Sequence, residues 1–502
     1  MYDEVVNRLM CVCTNRCGLA TTSVTATIVA VISAVLLVVG GIQLAFAQPL
    51  TEFPSEVGAM LKKHKLSAAN LSVYVQDVRE SAPLLTVNAQ QARNPASVMK
   101  VLTTVVALHE LGPTFRFRTD VYADTAVDKG IVHGNLYLRG NGDPFLVTES
   151  FWRLLKDLRH LGLVHVTGDL VIDGSGFSVA EGYRGDFDGR PSRAYNVLPH
   201  ATLVNFFATH FKFFADPHNN AVRIVVDPPM STLQINNRIK LTKARCSRGN
   251  RKINMRILQT EPVAKIEFTG KFPKSCGPYE LLRAVASPAP FVFGAFKPMW
   301  EEIGGRIDGV GREGQVPKSA VHVFRARSRP LAELLRFINK YSNNVMTRNL
   351  LLALGAEAYG APGTLEKGQR AISDWLTLQD LSASQLRVDN GSGLSRHAQV
   401  STLTLARVLV KAWHSELMPE FVSTLPLSAL DGTMRKRFKK TDLKGKLHMK
   451  TGLLNGVRSI AGFMRTRSGR DLVVVSLQNE RGVENHSGTR VQDALLTWLF
   501  EQ

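Results

Sequence analysis

Three short groups of residues, in order along the chain, carry side chains suited to acyl transfer: Ser97-x-x-Lys100, Ser342-Asn343-Asn344 and Lys450-Thr451-Gly452. Ser97 and Lys100 stand three apart, where an apolar run to Leu111 predicts a helix closed by Gly112-Pro113, so their side chains share one face near its start. A lysine there can take the serine proton if burial and neighbouring positive charge lower its pKa. The helix N-terminus also directs backbone N–H groups at developing negative charge. Ser342 offers a second hydroxyl for relaying a proton to a leaving amine, and Asn344 a carboxamide to hold Lys100 or a substrate amide. In the third group, set in a strand-like run with Lys446 and His448, Lys450 adds charge and the Thr451 hydroxyl can bind a terminal carboxylate. Gly452 would let a substrate backbone approach the strand edge.

Singly, each group has a plainer reading. Ser97 could cap a helix, Ser342 and Asn344 could shape a turn, and Lys450 could keep an edge strand soluble. Chance alone supplies Ser-x-x-Lys about twice in a chain of this length. Here each pattern occurs once, and all three fall in order.

The elements that must position them can be read from hydrophobic periodicity. Leu71–Val78 alternates as a half-buried strand, and 82–90 continue in strand-like fashion. Between 114 and 300, short alternating runs (Phe117–Ala123, Val132–Arg139, Leu170–Asp173, Ala221–Asp227, Ala264–Phe268) broken by Gly, Pro and Asn predict β-rich structure. Helical periodicity follows at Leu331–Tyr341, Val345–Tyr359, Thr364–Leu378 and Ser401–His414. Strands at Leu447–Lys450, Val457–Arg465 and Asp471–Gln478 and a helix at Thr489–Phe500 close the chain. The pattern predicts an α/β (α+β) catalytic domain built from 48–115 and 300–502, interrupted at 116–299 by inserted β-rich material, expected to form two domains.

Residues 24–47 are apolar and uncharged, follow Arg8 and Arg16, and end in Ala45-Phe46-Ala47, which predicts an export signal over 1–47. An uncleaved membrane anchor is the alternative reading. The two acids and two bases of this segment cancel, so the rest keeps the formal net charge of +20. Such a charge suits an anionic polymer or membrane surface and leaves peripheral membrane association open. Export and the lack of a basic-aromatic motif argue against nucleic acid as a partner. Only Cys246 and Cys276 follow the apolar segment, and two cysteines allow one pairing in an oxidising compartment. No His/Asp cluster of zinc type is apparent, and no cofactor or metal is called for.

Together the three groups resemble the signature of penicillin-binding proteins and serine β-lactamases. Further stretches narrow the likeness: Asp389-Asn390-Gly391-Ser392-Gly393-Leu394-Ser395-Arg396, Ala429-Leu430-Asp431-Gly432-Thr433-Met434-Arg435, Gly142-Asp143-Pro144 and Gly168-Asp169-Leu170-Val171-Ile172-Asp173. With these, nearly the whole exported chain resembles the class C low-molecular-weight penicillin-binding proteins, the D-alanyl-D-alanine carboxypeptidase/endopeptidase family. The resemblance implies helices on an antiparallel sheet, with domains inserted between the first two motifs. It implies periplasmic trimming of peptidoglycan stem peptides and cross-links through an acyl-enzyme on Ser97, with Lys100 as general base, Ser342 as relay, and inhibition by β-lactams.

By the same likeness, the N–H groups of Ser97 and Leu453 would form an oxyanion hole. Arg396 and Asp186, with Asp188, match positions near the diaminopimelate side chain of the substrate; a structural salt bridge and a solvated loop are the plainer readings. Leu453 departs from the family, which commonly has a hydroxyl residue there, and this shifts the expectation toward endopeptidase action. A serine β-lactamase and a non-catalytic peptidoglycan-binding scaffold are the competing functions. Nothing in the sequence indicates an oligomeric state.

Overall fold

The computed structural model describes residues 49–180, 182–381 and 383–502; the expected export segment lies outside them. The first described strand finds its partner at the far end of the chain. After α1 (Ser55–Lys63) come β1 (Leu71–Asp77), β2 (Leu85–Val87), a 3-10 turn at Ala96–Val98 and α2 (Met99–Leu111). The chain returns to this module with α3 (Leu331–Tyr341), α4 (Asn344–Tyr359), α5 (Leu365–Leu378), α6 (Thr402–Trp413) and α7 (Met418–Thr424). It ends with β3 (Leu447–Leu454), β4 (Val457–Arg465), β5 (Asp471–Asn479) and α8 (His486–Phe500). The five strands form one antiparallel sheet in the order β3-β4-β5-β1-β2, with Leu71 opposite Gln478 and Asp77 opposite Leu472. Helices on an antiparallel sheet are what the sequence led us to expect.

Helices cover both faces of the sheet. Val57 and Leu61 of α1 and Leu495 and Leu499 of α8 bury one face with Val73, Val75 and Val474. On the other, Leu102 and Val105 of α2 and Leu409 of α6 pack on Val473, Val475 and Leu477. β1 is therefore buried at every residue, where its alternation predicted one wet face. The polar residues responsible for that alternation are satisfied inside: Ser72 Oγ donates to Asn88 O at 2.8 Å and accepts from Arg93 Nε at 2.7 Å, and Tyr74 OH donates to Gln76 Oε1 at 2.8 Å. α2 is buried on all sides from Met99 to Leu108, as befits a central helix. Each fully buried Leu, Val or Met there contributes roughly 1.5–3 kcal/mol of transfer free energy.

Residues between α2 and α3 hold two separate cores. The first combines a five-stranded sheet, in the order 311–313, 170–173, 136–140, 118–123, 321–327, with helices Thr148–His160 and Pro288–Glu302. Neither helix was evident from the β-like texture of this stretch, although Phe151, Leu154, Leu155 and Leu158 follow helical spacing. The second core lies between two three-stranded sheets and is filled by Phe211, Phe213, Phe268 and Phe272. Cys246 and Cys276 are disulfide-bonded beside it. The expected return point at residue 300 falls inside the helix Pro288–Glu302. Strands 306–307, 311–313 and 321–327 all pair with strands lying between 118 and 173.

Candidate active site

The Ser97 segment is pinned before α2 begins. Asn94 N–H donates to Asn479 Oδ1 at 2.7 Å while Asn479 Nδ2 donates back to Asn94 O at 2.9 Å, tying the segment to the end of β5. Asn94 Oδ1 then accepts from Ala96 N–H at 2.9 Å. Ala96 is held at φ 45, a left-handed conformation that costs a non-glycine residue of order 1 kcal/mol and turns the chain so that Ser97 faces the cleft. α3 and α4 are joined by a similarly tight reversal. Ser342 has φ 57, Asn343 N–H donates to Ile338 O at 3.0 Å, and the Asn343 side chain caps α4 by accepting from Met346 N–H at 3.1 Å. Asn339 Nδ2 donates to Thr104 Oγ1 and Thr424 Oγ1, locking α3 to α2 and α7.

These supports bring Ser97, Lys100, Ser342, Asn344 and Lys450 into one cleft. Lys100, fully buried, directs Nζ at three oxygens: Ser97 Oγ at 3.2 Å, Asn344 Oδ1 at 2.7 Å and Ser392 O at 2.5 Å. Burial holds its pKa well below the usual lysine range, and the charges of Lys450 and Arg348 push it further down. Lys450 is also fully buried, which pushes it down to about 7, and it donates to Ser342 Oγ at 2.9 Å and Thr451 O at 2.7 Å. A solvated edge lysine is therefore not its role. Thr451 Oγ1 donates to Thr433 Oγ1 at 2.8 Å, which gives the Ala429–Arg435 stretch its place at the cleft.

β3 is the edge of its sheet, and residues 426–428 cover it only as far as Met449, whose N–H donates to Pro426 O at 2.9 Å. Successive strand residues alternate the side to which their N–H points, so Thr451 and Leu453 direct N–H groups to the same outer side, beyond the covered part. Gly452 is explained differently from the expectation. A Cβ on it would lie 2.6 Å from Pro95 O and 3.2 Å from Ala96 Cβ, so it makes room for the Ser97 segment rather than for substrate. Gly393, at φ +71 in the Asp389–Arg396 stretch, is tighter still: a Cβ there would lie 1.8 Å from Ala96 O.

Leu453 is 52% exposed on β3. Arg396 makes no ion pair with Asp186 among the described residues, so the salt-bridge reading gives way. Its guanidinium stacks 4.9 Å from the Phe187 ring centroid and donates to Asn455 O at 3.2 Å. Asp186 accepts from Tyr183 N–H at 3.1 Å, and Asp188 accepts from Tyr195 OH and Asn196 Nδ2, each at 2.7 Å. The acidic loop is thus self-supporting and meets Arg396 through Phe187.

Two participants escaped the sequence reading. Ser392 contributes only its backbone carbonyl to Lys100, and no side-chain pattern announces that; the stretch that carries it was visible. Arg348, 8% exposed, lies one turn beyond Asn344 on α4 and donates to Val197 O at 3.0 Å and Tyr195 O at 2.6 Å. It links the helix of Asn344 to the acidic loop, and burial lowers its own pKa to about 10.

Residues 54–502 match the D-Ala-D-Ala carboxypeptidase 3 (S13) family. A D-alanyl-D-alanine carboxypeptidase of Actinomadura sp. is 27% identical over 469 residues, 90% of this chain and 85% of that protein. D-alanyl-D-alanine carboxypeptidase DacB of Haemophilus influenzae is 24% identical over 417 residues, 82% and 85% of the respective lengths. The crystal structure of penicillin binding protein 4 (dacB) from Haemophilus influenzae shares the fold, with a TM-score of 0.73 at 23% identity, covering 89% of this chain and 99% of that one. With 449 consecutive residues matched to one family, the chain belongs to the D-Ala-D-Ala carboxypeptidase 3 (S13) family.

Proposed function

We propose that this enzyme, a serine-type D-Ala-D-Ala carboxypeptidase by its family, acts through Ser97 as the acylated nucleophile and Lys100 as its base. The observation that carries the assignment is the set of partners around Lys100 Nζ. A neutral amine has two N–H donors and one lone pair. With the donors spent on Asn344 Oδ1 and Ser392 O, the lone pair is left for the hydroxyl proton of Ser97. Ser97 then attacks the carbonyl between two D-residues. The N–H groups of Ser97 and Leu453 receive the oxyanion, each such donor being worth on the order of 10²–10³ in rate. Ser342 Oγ accepts from Lys450, so its own proton is free to turn toward the departing amine while the proton that Lys100 took from Ser97 replaces it, and water then hydrolyses the ester.

Peptidoglycan peptides are the substrate, and β-lactams, one of which is seen bound to the Haemophilus influenzae protein, are expected acylating inhibitors. Mass spectrometry after incubation with labelled penicillin tests the assignment. A lasting adduct on Ser97 is expected; fast turnover would mean a β-lactamase, and no adduct would mean a scaffold.

Arg396 and Asp186 belong, in this reading, to the wall that receives the substrate side chain. We further take 49–111 and the chain from α3 onward as the catalytic module, the two intervening cores as the inserted domains, and 1–47 as the segment directing export to the periplasm. Among the described residues no helix is long and apolar enough to cross a membrane.

The exposed apolar side chain of Leu453 favours a second activity, endopeptidase cleavage, because a hydroxyl gripping a free terminal carboxylate is absent there. Turnover of a D-Ala-D-Ala pentapeptide against a cross-linked dimer, in the unmodified enzyme and in Leu453→Thr, tests it. The variant should shift the ratio toward the pentapeptide, and an unchanged ratio would sink the idea.

A further inference from the structure

Residues 233–283 carry twelve Lys and Arg against three Glu, so about a tenth of the chain holds nearly half of its net charge of +20. The sheet geometry concentrates part of that charge on one side. In the three-stranded sheet, strand 264–273 lies between 233–242 and 252–259. Residues facing inward, such as Ile239, Ile253, Ile266 and Phe268, bury themselves in the aromatic core. Those facing outward include Arg238, Lys240, Lys252, Arg256, Lys265 and Lys271, all exposed, against the single carboxylate of Glu267.

The register makes this more than a solvated face. Lys240 pairs with Lys271 and Lys252 also pairs with Lys271, so three lysines stand abreast across the sheet. Directly opposed like charges destabilise a sheet, and a face that only needed solubility would alternate signs. The neighbouring loop adds Lys243, Arg245 and Arg248, all exposed, and the Cys246–Cys276 disulfide fixes that loop to the end of the central strand. Strands about 4.8 Å apart, with same-face residues about 6.7 Å apart along each, set these cations on a two-dimensional grid. A linear polyanion is best tracked by a line of charge in a groove, whereas a grid on a flat face matches a planar array of phosphates.

We propose that the outer face of this inserted sheet is a docking surface for an anionic phospholipid bilayer, holding the enzyme against the membrane by charge alone. The lysine row, strained by mutual repulsion in water, is relieved where negative headgroups interleave it. This reading is independent of the reaction at Ser97, since none of these residues lies in the catalytic cleft.

Co-sedimentation of the full chain with phosphatidylcholine vesicles, with and without phosphatidylglycerol, tests it. Binding to the phosphatidylglycerol vesicles should weaken as salt rises. The triple substitution Lys240→Gln, Lys252→Gln, Lys271→Gln should lower it about 10²-fold, at roughly fivefold per lysine near an anionic surface. Binding to neutral vesicles, which reports any contribution of the apolar N-terminal segment, should be the same for both proteins. Turnover of a soluble peptide should also be unchanged, showing that the variant is folded. Equal binding of the two proteins to anionic vesicles overturns the proposal. So does binding of soluble polyphosphate, lost in the variant, without binding to vesicles, which would assign the face to a polymer.

Discussion

Lys100 and Lys450 are fully buried in the catalytic cleft, while Lys240, Lys252 and Lys271 stand in water on the inserted sheet. Both regions crowd like charges. In the cleft, burial does most to change the chemistry: desolvation lowers both amines, and the second cation adds to that effect at Lys100. On the sheet the crowding meets solvent, and its effect is a field that reaches outward. In the proposed mechanism the same residue type thus supplies a base in one place, and a surface potential in the other. What separates them is how many protein atoms surround the nitrogen.

Substitutions that act on one region and spare the other test that contrast. Lys100→Met should lower acylation by penicillin by on the order of 10²–10⁴, the usual range for a general base; a rate within tenfold of the unmodified enzyme in stopped-flow assays would remove Lys100 from the mechanism. Gly452→Ala comes next. Its methyl would collide with the backbone of Pro95, which cannot swing aside as a long side chain could, so the Ser97 segment must shift. A misplacement approaching 1 Å costs about 10² in rate, and acylation should fall by that order while circular dichroism stays native.

Arg348→Met should act on pH dependence. As the proposed base, Lys100 must work in its neutral form, so acylation should rise with pH through its depressed pKa. Removing a neighbouring cation makes the ammonium easier to hold, raises that pKa, and moves the acid limb to higher pH. Arg348→Lys keeps the charge and should restore the limb, whereas a merely structural role would leave the limb in place in both variants. Smallest of all is Lys271→Gln. Thermal unfolding should move by no more than about 0.5 kcal/mol, toward greater stability if at all, with acylation unchanged.

The candidate reacting groups were legible because motif spacing is a local property that survives folding. Ser97 and Lys100 three apart, and Ser342 and Asn344 two apart, are set by a helix start and a helix junction, and the strands and helices of the catalytic module lie close to where periodicity predicted them. What depends on distant packing was not legible. The chain has 62 Lys and Arg, and nothing local marks Arg348 as the one buried beside Asn344. The crowding that demands glycine at 452 comes from residues some 350 positions earlier. The partners of strands 311–313 and 321–327 were hidden because they belong to a sheet begun about two hundred residues before.

The pairing of β1 with β5 joins residues about 400 positions apart. A nascent chain therefore carries its proposed nucleophile long before the partners that would activate it. Until the last strands are released, the Ser97 segment lacks its Asn479 clamp and Lys100 lacks the second cation at Lys450. Loop-closure entropy grows only slowly with length, so waiting costs the finished fold little. It does mean that the proposed site stays unassembled until synthesis has passed β5, and that a product truncated before that strand could not form it.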